Sequence, residues 1–148
     1  VITRCADPTR PYAWIDDRVM EVYRYLHDRG WAHSVETWNA QGRLVGGLYG
    51  VSVGGFFSGE SMFHDPEYGR DASKTALMRL VCELGPGLLD VQWSTPHLAR
   101  LGVIDVDRAE YLALLSDALE RPSPQWTSLD DPAWNGGHLL ERLRKMTN

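Results

Sequence analysis

Leu44-Val45-Gly46-Gly47-Leu48-Tyr49-Gly50-Val51-Ser52-Val53 runs into Gly54-Gly55 and on into Phe56-Phe57-Ser58-Gly59-Glu60, and this stretch decides the fold. Two β-prone runs flank a glycine pair that tolerates the positive φ of a tight turn, so the segment predicts two antiparallel strands. Upstream, His33 to Trp38 is a third such run, joined to Leu44 through the turn letters Asn39-Ala40-Gln41-Gly42. Three hairpin-linked strands form the centre of the chain.

Helical periodicity brackets them. From Ile15, the apolar positions Val19, Val22, Tyr23 and Leu26 recur every three or four residues, with Asp16 as the cap and Arg29-Gly30 as the stop. After a loop from Phe63 to Arg70, the residues Asp71-Ala72-Ser73-Lys74 open a second helix. Ala76, Leu77, Leu80, Val81 and Leu84 trace it as far as Gly85-Pro86-Gly87. Leu88 to Trp93 reads as a short apolar strand. Thr95-Pro96 reads as an N-cap with proline in the first turn of a brief helix reaching Leu101-Gly102. Asp107 with Glu110 resembles an acid-led capping box for a helix from Arg108 to Leu119.

This order predicts an α+β class, a mixed sheet flanked by helices in a single domain over residues 1–121. Arg121-Pro122-Ser123-Pro124 is a linker. Residues 122–148 form a C-terminal extension, with Trp126 and Trp134 in a polar segment before a helix from His138 to Met146, expected to be a satellite to the core. At the other end, Val1, Ile2 and Cys5 have the spacing of a helix face already under way, which predicts that more of the protein precedes Val1.

Composition narrows the function classes. A chain of 148 residues with 43% apolar content builds one core. Fifteen Lys and Arg stand against twenty Asp and Glu, a net charge of −5 spread without a basic face. Duplex binding by counterion release needs a basic stripe, so DNA is not expected, whereas a short RNA end is compatible. No apolar run approaches the roughly 20 residues of a membrane helix. Cys5 and Cys82 lie far apart without a CxxC spacing, which fits buried thiols in a reducing compartment and predicts the cytoplasm.

Two places carry candidate chemistry. Glu60 is a lone acid in the apolar run from Phe57 to Phe63, where a strand is expected to pass into a loop; it either binds something or pairs with a backbone amide or an arginine. Asp90 and Gln92 stand two apart on the expected fourth strand and so share a face, where acid and amide together can orient an amine and help deprotonate it. Solvated edge residues would look the same. His64, Asp65 and Glu67 crowd one loop without a second ligand pair in register, so no metal is expected. Ser73-Lys74-Thr75 lacks the upstream glycines of a phosphate loop, and His33-Ser34 lacks a nucleophile or zinc context. Lys74, Arg79 and Arg100 read as solvated helix charges. Trp14, Tyr23, Phe57, Met62 and Trp93 read as core on spacing alone.

These pieces, taken in order, resemble a known family. Trp14-Ile15, Tyr23-x-x-Leu26-His27, Gly30, His33-Ser34-Val35-Glu36-x-Trp38, Leu44-Val45-Gly46-Gly47-x-Tyr49-Gly50, Gly59-Glu60-Ser61-Met62-Phe63, Ala72-Ser73-Lys74-x-Ala76-Leu77, Asp90-x-Gln92 and His97-Leu98-x-x-Leu101-Gly102 are similar to the leucyl/phenylalanyl-tRNA-protein transferases over residues 1 to about 119. The resemblance implies a fold like the acetyltransferase (GNAT) superfamily but no coenzyme A and no other cofactor. The glycine loop that acetyltransferases place before their second helix is missing between Phe63 and Ala76.

The implied reaction moves a leucyl or phenylalanyl group, and on pocket size methionyl also, from the 3′ end of a charged tRNA. The acceptor is the α-amine of a protein beginning with Arg or Lys. Asp90, Gln92 and Glu60 carry over as the catalytic set. Trp14, Leu48, Phe57, Gly59, Met62 and Leu89 carry over as the apolar substrate pocket, with Tyr23 beside it. Leu48 stands where methionine is familiar, and Val91 where cysteine is often seen. A small-molecule amine as acceptor, and a non-catalytic binder of charged tRNA ends, are the alternatives.

Overall fold

The computed structural model describes residues 1–10, 13–126 and 135–146. Its centre is a four-stranded sheet in the order β1 (Ala32–Trp38), β2 (Leu44–Val53), β3 (Phe56–His64), β4 (Leu88–Asp90). The first three are antiparallel and β4 lies parallel to β3, the mixed sheet the sequence predicts. Asn39 and Gly54 make the two hairpins. The Asn39 Oδ1 accepts from the amides of Gln41 and Arg43, and Gly54 sits at φ +57°.

One face is covered by α3 (Ala72–Leu84), which packs Ala76, Leu80 and Leu84 against Val35, Leu48 and Phe57. The other is covered by α1 (Ile2–Cys5) and α2 (Asp17–Asp28). There Cys5, Ile15, Tyr49 and Phe63 form a second cluster with Val19, Met20 and Tyr23 against it. Asp16 caps α2 by accepting from the Val19 amide at 2.9 Å. Beyond β4 follow α4 (Pro96–Ala99), α5 (Arg108–Glu120) and α6 (Gly136–Met146), with Thr95 and Asp107 capping α4 and α5 as expected.

The structure corrects the sequence reading in four places. First, β3 does not end at Glu60. Its pairing with β2 continues to Gly46↔His64, and the register shifts between Tyr49 and Gly50, whose partners are Ser61 and Gly59, so Glu60 is the extra residue of a β-bulge. The bulge explains a packing fact: Phe57 and Met62, five apart, would face opposite ways in a regular strand, yet both pack into the α3-side cluster.

Second, β4 stops at Asp90 instead of Trp93. The Asp90 side chain turns the chain by accepting from the Gln92 amide, and Gln92 takes φ +65°. Trp93, left beyond the sheet, is 72% exposed, and Trp14 is half exposed too, so neither is core. Third, Arg79 is not a solvated charge but lies partly buried against Glu83 at 2.6 Å.

Fourth, the C-terminal extension is no satellite. Leu139 is 5% exposed and Trp126 packs on the α3-side cluster. Burying one leucine is worth about 2 kcal/mol, which favours the docked helix. Trp134 lies outside the described residues.

Candidate active site

Asp90 and Gln92 come together through the turn that ends β4, not through strand alternation. The Asp90 Oδ1 accepts from the Gln92 backbone amide at 2.7 Å, and its Oδ2 accepts from the Tyr111 hydroxyl of α5, also at 2.7 Å. Two charge-assisted hydrogen bonds orient the carboxylate and leave lone pairs on both oxygens. That hydrogen bond is the main cause that raises Tyr111 above the ordinary tyrosine range.

Gln92 reaches the other way. Its Nε2 donates to the Ser58 hydroxyl at 3.1 Å, and Ser58 donates to Glu60 Oε1 at 3.2 Å. The directions are fixed, because the amide nitrogen can only donate and the carboxylate can only accept. Gln92 Oε1 meets no donor among the described residues and is the atom able to accept from an incoming N–H. On the far side of Glu60 lies the Tyr23 hydroxyl, close enough to feel the carboxylate's charge. Tyr23 is pushed well above its ordinary range by burial first and then by the Glu60 charge. One continuous chain of hydrogen bonds, Glu60 to Ser58 to Gln92 to Asp90 to Tyr111, links β3, the end of β4 and α5.

Asp90, Gln92 and Tyr111 open onto a cleft of about 970 Å³. Its walls are largely apolar: Leu77, Met78 and Val81 from α3, Leu88, Leu89 and Val91 around β4, and Val103 and Leu114 from the α5 side. An apolar recess with a few convergent polar groups is the usual form of a small-molecule site.

The residues expected to line an apolar pocket are divided by the structure. Leu48, Phe57, Met62 and Leu89 share one cluster, but Phe57 is 0% exposed and Leu48 is also buried, so these two support the wall from behind. Leu89 reaches the cleft itself. Gly59 brings β3 close to β4: a Cβ there would meet the Asp90 carbonyl oxygen at 3.5 Å and Leu89 Cδ1 at 3.7 Å. Tyr23 belongs to the opposite cluster, on the far side of Glu60. Trp14 stands on the exposed segment before α2 and is not among the residues lining the cleft.

Ser58, Tyr111 and the α3 wall escape a reading by spacing. Ser58 stands two before Glu60, the one signal that could have found it. Asp65 is structural: nearly buried, it accepts from the Glu67 and Tyr68 amides and pairs with Arg4 and Arg43 at 3.3 and 3.2 Å. These contacts, the Tyr68 amide foremost, hold its carboxyl below the usual range. Among the described residues no group of three or more His, Cys, Asp or Glu could hold a metal ion, and no helix is long and apolar enough to cross a membrane.

Comparison with known proteins gives one family. The family model described as leucyl/phenylalanyl-tRNA protein transferase matches residues 1–116. Relatives bearing that name include one from Rhodopseudomonas palustris, 52% identical over 125 residues, covering 81% of this chain and 54% of the relative. Another, from Rubrobacter xylanophilus, is 48% identical over 80% of this chain and 61% of its own length. A third, from Salinibacter ruber, is 49% identical over 88% and 56%. The chain thus spans little more than half the length of the curated relatives it matches.

Proposed function

Because the chain belongs to the leucyl/phenylalanyl-tRNA protein transferase family, we propose that it moves a leucyl or phenylalanyl group, and methionyl less selectively, from the 3′ end of a charged tRNA to the α-amine of a protein beginning with Arg or Lys. The supporting observation is the hydrogen-bonded chain from Glu60 to Asp90 lying at the edge of an apolar cleft.

An aminoacyl ester is already activated, so the catalyst has to align an uncharged amine with the ester carbonyl and keep water away. In the proposed step the amine nitrogen bonds to the carbonyl carbon, the carbon–oxygen bond to the ribose breaks, and the amine's proton ends on the departing 3′ oxygen. Asp90 and Gln92 Oε1 accept the amine N–H bonds, Tyr111 holds the Asp90 carboxylate in place, and Glu60 holds the acceptor or the terminal adenosine. The amino-acid side chain enters the cleft beside Leu89, backed by Leu48, Phe57, Gly59 and Met62, with Tyr23 on the far side of Glu60. The cytoplasm, where charged tRNA is found, is the place of action; both cysteines are free and buried, in keeping with it.

Transfer of labelled leucine or phenylalanine from charged tRNA to an Arg-started peptide is the test. The reading expects product that grows with time and is lost in Asp90→Ala. Saturable binding of the charged tRNA without product over hours would refute the catalytic part.

A further inference from the structure

Resting on that reading and extending it to selectivity, we infer that Leu143 of α6 sets the size of the amino-acid side chain the cleft admits. The family match ends at residue 116, so this wall is supplied by a segment outside it. Leu139 and Leu143 are four apart and share one face of α6. Leu139 is buried and anchors the helix, which packs on α3, the element that gives the cleft Met78 and Val81. One turn further on, half-buried Leu143 lines the cleft directly.

The same extension is tied down a second time. The Trp126 ring stacks on His33 at 4.3 Å and lies 5.7 Å from Phe57, behind the cluster that holds Leu89. With Trp126 and Leu139 both docked, Leu143 is held as a wall of the cleft. An apolar recess distinguishes guests by volume, so a change of volume at this wall changes which guest fits.

The test uses non-hydrolysable leucyl- and phenylalanyl-adenosine amides, titrated calorimetrically into the full chain. Leu143→Ala, which opens space, is expected to raise the phenylalanyl-to-leucyl affinity ratio at least about fivefold, and Leu143→Trp to lower it by about as much. Leu140→Ala, on the exposed side of the same helix, should leave the ratio within about twofold of wild type. Thermal melts report folding, and Leu143→Ala alone decides the matter should the tryptophan variant not fold. A ratio unmoved by Leu143→Ala while both amides bind would overturn the inference and spare the proposed function. Binding of neither amide by the wild-type chain would overturn both. Binding with the expected shift but no transfer would uphold Leu143 and remove the catalytic reading.

Discussion

Ser58 is the smallest side chain in the site and the one on which its two halves depend. It accepts from Gln92 and donates to Glu60, so Ser58→Ala disconnects the bulge of β3 from the turn after β4. Transfer should fall about tenfold while the melting temperature drops by only a few degrees, since the hydrogen bonds exchanged at a half-exposed position contribute on the order of 1 kcal/mol. Gln92 separates backbone from side chain: Gln92→Gly tolerates the positive φ and keeps the turn, yet removes the amide. Donor binding should persist while the rate drops at least about tenfold, and an equal loss in both would show that the amide only binds.

Tyr111 offers a readout free of turnover. Because its hydrogen bond to Asp90 is the main cause of its raised pKa, Asp90→Asn should bring its ultraviolet titration back toward pH 10. At this scale Glu60, Asp90 and Gln92 were legible because acids and amides stand out in apolar runs. Tyr111 was not, since it lies 21 residues from its partner and contact across that distance leaves no periodic mark.

Elements were legible where local chemistry determines them and obscure where pairing does. The bounds of β2, the hairpin letters and the caps Asp16, Thr95 and Asp107 are all short-range features, and the structure reproduces them. The ends of β3 and β4 are set by long-range pairing and by a side-chain turn, which alternation does not reveal. The bulge itself rests on a close approach. A Cβ on Gly50 would lie 2.0 Å from the Ser58 carbonyl oxygen and 2.4 Å from the Phe57 ring, so this glycine lets β2 and β3 meet where Glu60 is extruded. Gly50→Ala should cost about 3 kcal/mol in denaturant unfolding and lower transfer through loss of the Ser58 and Glu60 placement. A neutral result would mean that the bulge is not held by this contact.

For the whole molecule, the extension was the least legible part. Trp126 is an isolated apolar residue in a polar stretch and Leu139 sits in a short, strongly charged terminal helix, and only the folded sheet shows that each has a place to be buried. His33, on which Trp126 stacks, gives the fold a pH dependence. Burial holds His33 below the ordinary imidazole range, partly opposed by the Gly30 carbonyl, which its ring nitrogen meets at 3.0 Å. A group with a depressed folded pKa favours the fold above its unfolded pKa. That contribution is lost as pH falls from about 6.5 toward the folded value, before Asp65 and the other carboxylates begin to protonate. Unfolding free energy should therefore decline between pH 6.5 and 5 in the wild-type chain, and His33→Gln should flatten the decline. An unchanged slope in that variant would place the titrating group elsewhere.

If the apolar cleft beside Asp90 and Gln92 receives the esterified amino acid, a crystal structure of the chain with phenylalanyl-adenosine amide will show it there. The phenyl ring should lie against Leu77, Val81 and Leu89, with the amide carbonyl group adjacent to Asp90 and Gln92. A ring seated in the smaller cavity of about 290 Å³ lined by Tyr23, His27 and His33, with the cleft beside Asp90 left empty, would contradict it.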